Sequence, residues 1–323
     1  MLPVRWADVD TGRAIAIDAT GVGSEIERQE GEGTLSTIWV DLLGAEVKFY
    51  NAAGIRTRTI EAGAGEALIL LHGSGGHAEA YARNIMPLSE HFRVLSIDMI
   101  GHGLTDKPDI DYEAPAYAKH IVDFMDAAGI SRAHVAGESL GGWVASWVAL
   151  LYPDRVGKIV SITGAGLAVE TDEASREHYQ RGVNELRRLS QQFVQNPTKE
   201  NLRARLSWLF HDPARDLTDE LLELRWAIYQ LPGAEAAVSR TGKPGTGPSN
   251  PQYQLTPERL RKIRAPYLFL WTEYNPSTPT ATARRAHEQM PGSQFIELAN
   301  CAHWPQWEDP VAFNQVVLRF LQS

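Results

Sequence analysis

The chain has 323 residues, 43% hydrophobic and 22% charged, which is enough for a full buried core in one large domain or two ordinary ones. A net charge of -9 and a pI near 5.6 exclude the basic footprint of a nucleic-acid binder. One cysteine, Cys301, excludes an intrachain disulfide, and no apolar run approaches the ~20 residues that cross a bilayer.

No Cys-x-x-Cys or His-rich spacing points to a structural metal, and nothing in the sequence asks for a cofactor. The beginning of the chain has no basic stretch followed by an apolar one, so the expectation is a cytoplasmic protein acting on a small molecule, without nucleic-acid or membrane partners. Whether it forms a homo-oligomer is left open.

Residues 1 to about 40 mix polar, glycine and short apolar pieces, an N-terminal extension or a first hairpin laid on the main sheet. Glu46 to Tyr50 and Arg56 to Ile60 read as paired strands, and Ala67 to Leu71 as a buried one. A helix around Ala80 to Leu88, a strand at Val94 to Asp98, a helix at Ala116 to Ala128 and a strand at Ala133 to Ala136 come next. An apolar helix after Ser139 and the strand Lys158 to Ile162 complete an alternation that builds a parallel sheet.

After Gly164 the pattern changes to amphipathic helical stretches: Ala174 to Gln192, Lys199 to Phe210, and Thr218 to Tyr229, where Thr218 is a plausible N-cap followed by two acids. Residues 239 to 252 read as an irregular return loop. Strands at Pro266 to Trp271 and Gln294 to Leu298, with helices from about Thr280 and from Pro310 to Leu321, resume the alternation. The expected architecture is α/β: a core of residues 1–165 and 263–323, with a helical lid inserted at 166–262.

Gly137-Glu138-Ser139-Leu140-Gly141 sits between a strand and a helix, the context of a nucleophile elbow that lifts Ser139 Oγ above a sheet. His72-Gly73-Ser74-Gly75-Gly76 follows the buried strand Ala67 to Leu71 and offers closely spaced backbone N–H groups. The N–H of Ser74 and that of Leu140 are the expected oxyanion-hole donors. Cys301-Ala302-His303-Trp304-Pro305 follows the last strand, which puts His303 on a loop where a general base belongs. His77 and His102 also sit on loops expected near the site.

His72 to Gly75, Arg83-Asn84-Ile85, Asp98 to Gly103, Gly137 to Gly142 and Cys301 to Glu308 match together. On these motifs the chain resembles the α/β-hydrolases, and among them the meta-cleavage-product hydrolases that cleave carbon–carbon bonds in aromatic degradation. The resemblance runs from about Ile55 to the C-terminus. It implies the α/β-hydrolase fold and a 2-hydroxy-6-oxo-dienoate substrate that ketonises before Ser139 and His303 promote C–C cleavage. It also implies that Arg225 binds the dienol-carboxylate end of the substrate. Gly73, Gly75 and Trp304 would line the site, and Trp208, Phe210, Trp226 and Tyr229 are further aromatic candidates.

One position departs from the family pattern: Asn275 stands where the triad aspartate is expected, in Trp271-Thr272-Glu273-Tyr274-Asn275-Pro276. An asparagine can orient an imidazole but supplies no charge; in serine proteases that exchange costs about 10⁴ in turnover. Asn275 and Glu273 are therefore both candidates to orient His303, with Glu170 and Asp172 as remote substitutes. Glu138, just before the nucleophile, is expected to face solvent or cap a neighbour. The same serine and oxyanion hole would also serve a carboxylesterase or lactonase, and without a triad acid the scaffold could serve as a ligand-binding protein.

Overall fold

In the computed structural model of the chain the described residues are 15–17, 37–241, 243 and 245–323. Among the described residues nine strands form one sheet: β1 (Ile15–Ile17), β2 (Glu46–Ala52), β3 (Ile55–Ala62), β4 (Ala67–Leu71), β5 (Arg93–Ile97), β6 (Ala133–Glu138), β7 (Val156–Ile162), β8 (Tyr267–Thr272) and β9 (Gln294–Leu298). Their order is β1-β9-β8-β7-β6-β4-β5-β3-β2. From β1 to β5 all neighbours are parallel, and β3 and β2 close one edge antiparallel. The expected α/β fold with a mostly parallel sheet is the one observed. Of the extension expected at residues 1–40, all but 15–17 and 37–40 lies outside the described residues.

The central strands are buried along nearly their whole length because both faces of the sheet are covered. In β4, Ile69 and Leu71 point to a core shared with helices Ala114–Ala127 and Leu140–Leu151. Leu68 and Leu70 point to the other core, shared with helices Ala82–Ser89 and Pro310–Gln322. Each such fully buried side chain contributes roughly 1.5–3 kcal/mol of transfer free energy.

Between β7 and β8 the described residues form helices and turns: Glu173–Gln195, Lys199–Ser207, Asp219–Tyr229, Ala234–Thr241 and Pro257–Lys262 are the main helices. Leu167 and Leu255 pair in an isolated parallel bridge, so the excursion leaves and returns at neighbouring points. Thr218 caps its helix as expected, accepting from Leu221 N–H.

Two readings need correction. The stretch Lys199 to Phe210 stops being helical at Ser207 because the next backbone groups are used elsewhere: Leu209 C=O accepts from His303 N–H at 2.8 Å, and His211 N–H donates to Glu308 at 2.8 Å. The loop read at 239–252 instead begins inside the helix Ala234–Thr241 and continues through two short 3₁₀ turns.

Candidate active site

The carboxyl ends of the parallel strands bring four loops together, the usual place for a site in an open α/β sheet. Ser139 joins β6 to the helix Leu140–Leu151 with φ 52° and ψ -111°, a left-handed conformation that a serine adopts only under constraint. Gly137 and Gly141 make this turn possible: a Cβ on Gly137 would collide with the Gly141 backbone, and one on Gly141 with Leu71 C=O. Ser139 N–H donates to Ile162 C=O at 2.9 Å and its C=O accepts from Ala165 N–H at 3.0 Å, fixing the elbow to the end of β7.

The loop after β4 is set by His72. Met99 N–H donates to its Nε2 at 3.1 Å, so the ring carries its proton on Nδ1, which donates to Gly73 C=O at 2.8 Å. Burial holds this imidazole well below its ordinary pKa, which keeps that tautomer neutral and the loop rigid. Ser74 is exposed, and its N–H meets no protein acceptor among the described residues. Leu140 opens its helix, and the first N–H groups of a helix have no intrahelical acceptor. Both expected oxyanion donors are thus open to a ligand.

His303 is buried at the end of β9, after Asn300 turns the chain with φ 55°. Its Nδ1 donates to Asn275 Oδ1 at 2.9 Å. Ser277 N–H and Oγ–H face the same oxygen, which assigns the amide orientation. Glu273 does not reach His303: it is exposed and its Oε2 accepts from Asn300 N–H. Glu273 N–H pairs with Leu298 C=O, prolonging the pairing of β8 with β9. Glu170 is exposed, and Asp172 caps its helix by accepting from Ser175 N–H, so neither serves as a substitute acid.

Glu308 holds the His303 loop. Its Oε1 accepts from Ala302 N–H at 3.0 Å and Trp304 N–H at 3.1 Å, on either side of His303, and its Oε2 accepts from His211 N–H. Arg83 Nη1 donates to Trp307 C=O and Asn84 Nδ2 to Gln306 C=O, so the Arg83-Asn84 motif anchors the same segment from a neighbouring helix. Asp98, in the third motif, ties loops together by accepting from Ala78 and Leu104 N–H.

Glu138 departs from expectation. It is 1% exposed, not solvent-facing, and its Oε1 lies 3.1 Å from His303 Nε2. Its carboxylate occupies the space a Cβ on Gly73 would need, so it abuts the oxyanion loop as well. Its Oε2 is buried and finds no partner among the described residues. As the last residue of β6, Glu138 shares by alternation the face of the core residue Ala136, and its sequence position alone does not reveal the His303 contact.

Arg225, on Asp219–Tyr229, donates from Nη1 to Gly75 C=O and stands over the Trp304 ring, 5.3 Å from its centroid. Burial, then the charge of nearby Arg205, lower its pKa to about 10, so it remains a cation at neutral pH. Arg205 donates from Nε to Ser190 Oγ; burial lowers its pKa to about 10, and Glu138 opposes the shift. Arg225 Nε and Arg205 Nη1 are buried without hydrogen-bond partners among the described residues. Sequence reading missed Arg205, although its place one residue from Leu206 and three from Leu202, both buried, gave a helical-phase signal.

The remaining candidates separate. Trp304 is buried against Phe210 at 5.5 Å, and Trp208 lies 5.8 Å from the His303 ring. Trp226 and Tyr229 stack on each other. His77 Nδ1 donates to Glu79 within the buried Arg58–Glu79–Asp98 cluster, and His102 is buried with Nδ1 donating to Ile100 C=O. No group of three or more His, Cys, Asp or Glu capable of holding a metal occurs among the described residues, and no helix there is long and apolar enough to cross a membrane.

The α/β-hydrolase fold family model matches residues 66–310. The chain is 32% identical over 263 residues to a 2-hydroxy-6-oxononadienedioate/2-hydroxy-6-oxononatrienedioate hydrolase of Burkholderia vietnamiensis, covering 80% of this chain and 87% of that one. It is 30% identical over 278 residues to a 2-hydroxy-6-oxo-6-(2'-aminophenyl)hexa-2,4-dienoic acid hydrolase of Metapseudomonas resinovorans, covering 85% and 90%. A meta-cleavage product hydrolase of Pseudomonas fluorescens IP01, solved with acetates, superposes with a TM-score of 0.71 at 29% identity over 87% of this chain and 98% of that one.

Proposed function

The chain belongs to the α/β-hydrolase family and, within it, to the meta-cleavage-product hydrolases, and from that premise we propose that it hydrolyses the carbon–carbon bond of a 2-hydroxy-6-oxo-dienoate through Ser139 and His303. It is a serine-dependent hydrolase. The observation that carries the substrate class is the pair of buried guanidiniums, Arg225 and Arg205, each with an unpartnered N–H. Two like charges buried together are costly, and a bound carboxylate offsets that cost.

Arg225 binds the carboxylate of the dienoate, beside Gly75 and Trp304. Ketonisation of the dienol moves a proton from oxygen to carbon and makes the later leaving group a stabilised carbanion equivalent. His303, held by Asn275 in the tautomer with Nδ1–H, then takes the Ser139 hydroxyl proton or that of a water. The N–H groups of Ser74 and Leu140 hold the charge that develops on the attacked carbonyl oxygen. Water completes the cleavage to a dienoate and a carboxylic acid. The helical segment 166–262 acts as the lid that carries Arg205 and Arg225 over the elbow.

The test is a panel of coloured ring-fission products and simple aryl esters, with wild type, Ser139→Ala and Arg225→Met. The expected result is formation of a dienoate and a carboxylic acid with the wild type, none with Ser139→Ala, and a KM raised at least tenfold by Arg225→Met. Robust ester turnover with no ring-fission cleavage, unaffected by Arg225→Met, would establish an esterase instead.

A further inference from the structure

Glu138 is the one carboxylate that touches His303 among the described residues. The Nδ1 edge of the imidazole is committed as donor to Asn275 Oδ1. A carboxylate oxygen 3.1 Å from a ring nitrogen forms an ion pair when the ring is protonated, and in that state the pair of Glu138 and His303 shares one proton on the Nε2 edge. Ser139 Oγ has no hydrogen bond to Nε2 among the described residues, in keeping with active-site bonds that tighten only when substrate is bound. The second oxygen of Glu138 is buried beside the oxyanion loop without a donor. A proton donor on the substrate is what this arrangement lacks.

We propose that Glu138 is the catalytic base of the ketonisation step, taking the dienol proton on Oε2 while His303 gives the shared proton to the dienol carbon. This rests on the substrate reading above. The step balances: the enol O–H bond breaks and its proton passes to the Glu138 carboxylate. The electron pair of the enol C=C forms a C–H bond with the proton leaving His303 Nε2. The pair changes from carboxylate–imidazolium to carboxylic acid–neutral imidazole, with no net gain or loss of protons.

The order of the reaction follows. Only after ketonisation does His303 carry a free lone pair on Nε2, and only then can it accept the Ser139 proton. Before ketonisation the Glu138 carboxylate faces the imidazolium from the edge opposite Asn275. Around Glu138 the charged neighbours are His303 on its loop and Arg205 and Arg225 from the lid.

The experiment follows ketonisation by stopped-flow absorbance and by solvent-deuterium incorporation into a 2-hydroxy-6-oxo-dienoate, in a Ser139→Ala background that arrests cleavage. Wild type at position 138 is compared with Glu138→Gln and Glu138→Asp. In the otherwise native enzyme, labelling of Ser139 by a fluorophosphonate and the circular dichroism spectrum report that each variant is folded. The expected result is a ketonisation rate lowered about a hundredfold by Glu138→Gln, on the scale of general acid–base contributions, with partial recovery in Glu138→Asp. Folded Glu138→Gln that ketonises at the unmodified rate overturns the proposal. A wild type that labels at Ser139 yet ketonises no dienol overturns the substrate reading and this step with it.

Discussion

Replacing Glu308 with glutamine probes the bracket that holds His303. Glu308 is 8% exposed and burial raises its carboxyl from the ordinary 4.5 to about 7, against the pull of its three backbone N–H donors. A carboxyl whose folded value is raised favours the folded state fully below pH 4.5, and that contribution is lost as pH climbs through about 7. A difference of 2.5 units, 7 minus 4.5, is worth about 3 kcal/mol at 1.36 kcal/mol per unit. Glutamine has no such dependence. It keeps one oxygen for Ala302 and Trp304 but turns an NH₂ toward His211 N–H, leaving that donor unsatisfied at a cost of about 1–3 kcal/mol. Urea denaturation of both proteins at pH 5 and pH 8 measures the balance. Glu308→Gln is expected to be less stable than wild type by about 1–3 kcal/mol at pH 5, with the deficit shrinking to near zero or reversing at pH 8. An equal deficit at both pH values, or one that grows with pH, refutes the reasoning, because Glu308 would then be ionised throughout.

Two further outcomes follow from the geometry. Gly73→Ala places a Cβ against the Glu138 carboxylate and is expected to lower kcat at least tenfold while the melting temperature changes little; unchanged kcat would mean that this contact relaxes freely. Cys301 is 1% exposed and burial pushes its thiol far above the usual range, so a disulfide reagent at neutral pH should react only after unfolding; rapid reaction of the native protein would contradict that burial.

The sheet was legible because β4 is a continuous apolar run and β8 nearly one. The elbow was legible because a strand, two glycines and an apolar helix carry the same message as the motif. What the sequence could not settle was set by long-range geometry. Asn275 and Glu273 lie two residues apart on one loop, and only the pairing of Glu273 N–H with Leu298 C=O decides that the shorter side chain faces His303. Glu138 reads as a solvent-facing acid until the loops after β4 and β9 close over it. Arg205 is indistinguishable in composition from its neighbour Arg203, which is exposed and paired with Asp219. The end of the helix at Ser207 depended on carbonyl and amide partners nearly a hundred residues away.

The most direct measurement is turnover of a coloured 2-hydroxy-6-oxo-dienoate by the purified protein, with both cleavage products quantified and Ser139→Ala as control. Stoichiometric formation of a dienoate and a carboxylic acid by the wild type, and none by Ser139→Ala, is the expected result. Cleavage that persists undiminished in Ser139→Ala, or a wild type that leaves every such dienoate intact while hydrolysing esters, would contradict C–C hydrolysis by the Ser139–His303 centre.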